Sequence, residues 1–164
     1  SSDMVILLMG VTGAGKTTIG RLLAQQLGWN FVDGDEFHSA ANIEKMRRGI
    51  PLTDADREPW LAALGKVIAD AIAQNNNLVV ASSALKQQYR RRLLISPEVR
   101  LVYLKGSRDL IAARLQNRHG HFATASLLTG QFADLEEPGD ALAVDINGSP
   151  DQIATLIRSA FGLG

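Results

Sequence analysis

The chain has 164 residues, enough for one domain that buries roughly 70% of its unfolded surface. Hydrophobic residues make up 46% and charged residues 21%, which excludes a disordered chain. Lysine plus arginine equals aspartate plus glutamate at 17 each, so no net charge draws the protein to nucleic acid or to an anionic membrane.

The absence of cysteine excludes a disulfide framework and a thiolate zinc site, and suits a reducing cytoplasm. The apolar run Met4–Met9 is too short to span a bilayer and lacks the charged start of a signal peptide.

In chain order, Val5–Met9 is a continuous apolar run, as expected of a strand buried on both faces. Lys16–Leu27 has apolar residues at helical spacing, Phe31–Val32 reads as a second strand, and Ala40–Arg48 as a short helix stopped by Gly49. Thr53 is placed to cap a long helix from Asp54 to about Ala73, with Pro59 marking either a break or a point just inside its start. Leu78–Ala81 and Leu101–Leu104 are further strands, flanking a basic helix at Lys86–Leu94. Asp109–Gln116 is helical, Ala143–Ile146 a fifth strand, and Pro150–Phe161 a closing helix. Trp29, Trp60 and Phe132 read as packing residues.

Strands alternating with helices predict an α/β fold: a five-stranded parallel sheet flanked by helices, in one domain over residues 1–164. In such a sheet the functional loops gather at the carboxyl ends of the strands. Three marked stretches fall there: Gly10–Thr17, Asp33–His38 and Ser82–Lys86.

The first, Gly10-Val11-Thr12-Gly13-Ala14-Gly15-Lys16-Thr17, matches G-x-x-x-x-G-K-[ST] in full, between a buried strand and a helix. Glycines let several N–H groups converge on one oxyanion, and the helix N-terminus adds partial positive charge. Lys16 is expected to bridge the β- and γ-phosphates of ATP, and the Thr17 hydroxyl to ligate Mg2+, with Thr18 beside it in the nucleotide site. The loop predicts triphosphate binding and leaves the acceptor open.

On the acceptor side, Asp33 and Asp35 are spaced to face the same way if the chain stays extended, although Gly34 allows a bend. One could orient metal-bound water while the other, Asp35, takes the proton of an attacking hydroxyl. His38, Arg57, Lys86 and Arg90 add donors and cations able to clamp an acid group. Arg114 and Arg118, with His119 and His121, precede or enter a glycine-bearing segment at about 117–124 that is expected to close over ATP as a lid, with Arg118 reaching the transferring phosphoryl group. No histidine has metal-ligand spacing. There is no alternation of basic and aromatic residues of the kind that binds nucleic acid.

The sequence resembles the short, bacterial-type gluconate kinases, of the P-loop, nucleoside-monophosphate-kinase-like group. The resemblance runs through Leu8–Thr17, Asp33-Gly34-Asp35 and His38, Asn42–Met46, Pro51–Leu61, Ser83–Lys86 with Tyr89-Arg90, Val102–Gly106, Gly120-His121-Phe122, and Gln131-Phe132 with Leu135–Pro138. It implies ATP-dependent phosphorylation of D-gluconate at its terminal hydroxyl, in a cytoplasmic homodimer, with Gln131 added to the substrate-binding set. Ser82 stands where the family pattern leads one to expect cysteine. The rival expectations are a shikimate or nucleoside-monophosphate kinase of the same fold and, from another class, a nucleotide-dependent switch. A switch needs the phosphate loop but not the carboxylates and cations of the acceptor side.

Overall fold

The computed structural model describes residues 3–116 and 124–164, with side chains in the second stretch described from residue 127 onward. Five strands, β1 (Val5–Met9), β2 (Asn30–Asp33), β3 (Leu78–Ala81), β4 (Val99–Lys105) and β5 (Leu142–Asp145), form one sheet in the order β2-β3-β1-β4-β5. All four pairings are parallel; Leu7, for example, stands beside Val80 on one side and Leu101 on the other.

The central strand shows why its sequence is apolar at every position. Ile6 and Leu8 point into one core with Ile19, Leu23, Val102, Ile111 and Ile157. Val5, Leu7 and Met9 point into the other, with Trp60, Leu64, Ile68, Val80 and Leu93. Period-two alternation divides the strand between two layers of helices, so neither face tolerates a polar residue.

The helices are α1 (Lys16–Leu27), α2 (Ala40–Arg47), α3 (Asp54–Ala73), α4 (Gln87–Leu93), α5 (Arg108–Gln116), α6 (Thr124–Asp134) and α7 (Pro150–Ala160). β1 and α1 have the bounds the sequence predicts. Thr53 caps α3 through a capping box with Asp56, and Pro59 lies inside the helix without ending it. β3 and α3 also span the expected ranges, and several other ends differ by a residue or two, as frayed termini do.

Two elements were not anticipated. Gly34–Phe37 forms a short 3-10 helix rather than an extended turn, and α6 stands in a stretch whose sequence had offered no helix. The expected lid at about 117–124, with Arg118, His119 and His121, falls almost wholly outside the described residues.

Candidate active site

The phosphate loop closes β1 onto α1. Gly13 and Gly15 have φ of 87° and 96°, in the left-handed region that favours glycine. At Gly13 there is also no room, since a Cβ would come within 2.9 Å of the Leu115 side chain. The loop is thus shaped by backbone freedom at two positions and by packing against α5.

Lys16 turns back over this loop. Its ammonium donates to the carbonyl oxygens of Gly10 at 2.7 Å and Val11 at 3.1 Å. Burial pushes its pKa below the usual lysine value, while Asp35 and Asp33 pull in the opposite direction. The Thr17 hydroxyl donates to Asp33 Oδ2 over a long 3.4 Å. Asp33 Oδ1 accepts from the Asp35 N–H at 3.0 Å, which caps the 3-10 helix. Asp33 thus meets Thr17 of the phosphate loop, while Asp35 lines the neighbouring cleft together with Lys16.

That cleft lies between the loop, α2, α3 and α6. Thr12, Lys16, Asp35, His38, Arg57 and Gln131 all line it. They come from four stretches of chain: the loop pair, Asp35 with His38, Arg57 on α3 and Gln131 on α6. His38 stacks on Trp60 with ring centroids 4.5 Å apart and planes 14° from parallel. The Trp60 indole N–H donates to the Gly34 carbonyl at 2.7 Å, so the aromatic pair also supports the bend that carries Asp35. Burial lowers the pKa of His38, Asp35 raises it, and Arg57 lowers it.

Arg57 is held on several sides. It donates to the Tyr89 hydroxyl at 2.7 Å and lies over the Tyr89 ring, 5.1 Å from its centroid. Tyr89 in turn donates to Asp54 Oδ1 at 2.5 Å. From α6, Asp134 approaches Arg57 at 3.5 Å. A guanidinium fixed in this way presents its remaining donors to the cleft at little further entropic cost.

Two residues expected to bind the acceptor, Arg90 and Lys86, do not line this cleft, while Arg114, expected at the nucleotide, is held by a backbone carbonyl. Arg90 is 5% exposed, and its guanidinium donates to the carbonyls of Ala84, Leu85 and Glu136 at 2.9, 2.9 and 2.7 Å. A cation whose hydrogens are taken up by the backbone braces the wall behind the cleft and does not line it. Lys86 also stands off the cleft lining; it pairs with Asp54 at 3.6 Å and lies over the Tyr89 ring. Arg114 donates to the Ile146 carbonyl at 2.6 Å. Conversely, Asp134, Tyr89 and Asn42 were not singled out from the sequence for any role at the site. Tyr89 and Asn42 lay inside the stretches that carry the family resemblance, which was the available signal.

The donor set near the loop suits Mg2+. The Thr17 hydroxyl and Asp33 carboxylate are hard oxygen donors side by side, the kind of small protein contribution that magnesium completes with phosphate oxygens and water.

A doubly covered parallel sheet, a complete phosphate loop after its first central strand, and an adjacent cleft with carboxylate and guanidinium groups define a P-loop kinase. A family model for the AAA domain matches residues 5–138. The gluconokinase of Gluconobacter oxydans is 46% identical over 136 residues, 82% of this chain and 76% of that one. A probable gluconokinase of Xenopus tropicalis is 36% identical, covering 96% and 98% of the two chains. Among solved structures, a gluconokinase from Sinorhizobium meliloti superposes with a TM-score of 0.85 at 40% identity, covering 98% and 95%. The chain belongs to the gluconokinase family.

Proposed function

We propose that this protein transfers the γ-phosphoryl group of ATP to the terminal hydroxyl of D-gluconate, giving 6-phosphogluconate and ADP. The observation that carries this reading is the shared cleft: Lys16 of the phosphate loop lines the same cavity as Asp35, His38 and Arg57. Its relatives named as gluconokinases supply the acceptor.

Gluconate offers one carboxylate and a row of hydroxyls. Arg57 is the cleft's fixed cation and is assigned the carboxylate. His38 and Gln131 are assigned hydroxyls along the chain. Asp35, beside the loop, receives the proton of the terminal hydroxyl as the new oxygen–phosphorus bond forms and the bond to the leaving ADP oxygen breaks. Backbone N–H groups of the loop and the Lys16 ammonium stabilise charge on the phosphoryl group in flight. Thr17, with Asp33 beside it, would hold Mg2+, which would supply positive charge to offset that of the phosphates. The homodimer and the cytoplasmic setting rest on the family resemblance; light scattering of the purified protein tests the first.

A coupled ADP-release assay across sugar acids, shikimate and nucleoside monophosphates tests the acceptor. Turnover with D-gluconate well above the others is expected. Preference for shikimate or a nucleotide would overturn the assignment, and slow ATP hydrolysis indifferent to every acceptor would make the protein a switch.

A further inference from the structure

Asn42, on α2, is 5% exposed. Its side-chain nitrogen lies 2.8 Å from the backbone carbonyl oxygen of Asp56 and 3.3 Å from Nδ1 of His38. A carbonyl oxygen only accepts, so the first contact fixes which end of the amide is NH2. The second amide hydrogen is then left for His38, and Nδ1 must receive it with a lone pair. The ring proton therefore sits on Nε2.

We propose that Asn42 is a positioning residue that holds His38 as the neutral Nε2–H tautomer, so that the ring offers the cleft a hydrogen-bond donor for an acceptor hydroxyl without adding a charge. The proposal rests on the kinase reading of the cleft and assigns how one of its residues works.

The surroundings agree. Stacking on Trp60, which is itself tied to the Gly34 carbonyl, holds the plane of the ring, and the Asn42 contact selects the edge that carries Nδ1. Of the charged groups acting on it, Asp35 favours protonation and Arg57 opposes it, while burial is the largest influence and also opposes it. A second cation near Arg57 would compete for the acceptor carboxylate and shift the acceptor along the cleft. A neutral donor leaves Arg57 as the sole fixed positive partner for that carboxylate among the cleft's described residues other than Lys16, which belongs to the phosphate.

The test uses the full chain labelled with 15N-histidine. The His38 resonances are assigned by their loss in His38→Gln. The wild type should show an unprotonated Nδ1 and a protonated Nε2 from about pH 6 to pH 8, around the ordinary histidine pKa. Asn42→Leu should give a tautomer mixture and lower kcat/KM for the acceptor about fivefold, the scale of one net hydrogen bond, with kcat/KM for ATP little changed. His38→Gln keeps a neutral donor and should recover much of the activity lost in His38→Leu. A wild-type spectrum with Nδ1 protonated, or Asn42→Leu leaving the tautomer unmoved, would overturn the proposal. So would His38→Gln as impaired as His38→Leu, a result readable even if Asn42→Leu does not fold. The spectra need no acceptor, so failure of the gluconate assignment would appear separately, in the turnover of the wild type.

Discussion

The side-chain oxygen of Gln131 accepts a hydrogen bond from the Thr12 backbone N–H at 2.5 Å, joining α6 to the phosphate loop across 119 residues of sequence. One turn further along α6, Asp134 meets Arg57. A single helix thus touches the ATP side and the acceptor side of the cleft. Gln131→Leu should lower kcat/KM for ATP by about two- to tenfold, the range expected from a net hydrogen bond of about 0.5–1.5 kcal/mol, and leave the loop N–H without its partner. Steady-state kinetics with ATP varied checks this; an unchanged value would show that the contact does not shape the loop.

Lys16 is the one cation of the phosphate loop, and its ammonium already lies against the Gly10 and Val11 carbonyls. Removing a strong electrostatic stabiliser costs about a hundredfold or more in turnover. Lys16→Ala is therefore expected to lose at least about that much while remaining folded by circular dichroism. Near-normal turnover would refute the role given to it.

Asp35→Asn keeps shape but cannot take a proton. If Asp35 is the base, kcat should fall by about 10²–10⁴-fold with little change in the KM for ATP. If it only orients the hydroxyl, the KM for gluconate should rise instead, since phosphoryl transfer leaves proton removal late. The two parameters measured together separate these roles, and no change in either would remove Asp35 from the site.

Asp56 offers a pH prediction. Lys45, at 2.8 Å, and the N–H of Thr53 hold its carboxyl down to about 2, from 3.8. Because the folded value is the lower one, the unfolded chain binds the extra proton, so this contribution is complete above about pH 4 and is lost as the pH falls toward 2. Lys45→Met should raise the Asp56 pKa, read by carboxyl 13C NMR titration, and narrow the acid range over which the protein stays folded. A titration unmoved by the substitution would mean that the capping box alone sets the value.

Much of the fold was legible because it is written in local pattern. The five-residue apolar run Val5–Met9 reads as a doubly buried strand, the glycine-rich loop with Lys16 and Thr17 reads as the join of a strand and a helix, and Thr53 reads as a helix start. α6 was not legible: its stretch, Thr124–Asp134, includes threonine, serine and a mid-helix glycine, residues with weak helical preference, and is held by the contacts of Gln131 with Thr12 and of Asp134 with Arg57, from far along the chain. The site was legible in its chemistry but not in its geometry. Arg57 and Arg90 are the same residue type in comparable settings, and only the fold makes one a cleft cation and the other a brace. Likewise nothing in the Asp33-Gly34-Asp35 string says that Asp33 will cap the short helix in which Asp35 stands.

That brace has a consequence for redesign. Ala84 has φ of 42°, a left-handed conformation costing an ordinary residue about 1–2 kcal/mol, with no glycine to ease it. Arg90 holds the bend from behind by gripping the carbonyls of Ala84 and Leu85, and hydrogen bonds from a charged group contribute about 1.5–3 kcal/mol each. The contour of the cleft wall at Ser83 and Leu85 is therefore stored outside the wall itself. A library that varies Ser83 to retune acceptor choice can keep its backbone template as long as Arg90 is untouched, whereas Arg90→Lys, with a single ammonium in place of a planar fork, would let the template drift without altering any side chain that lines the cleft.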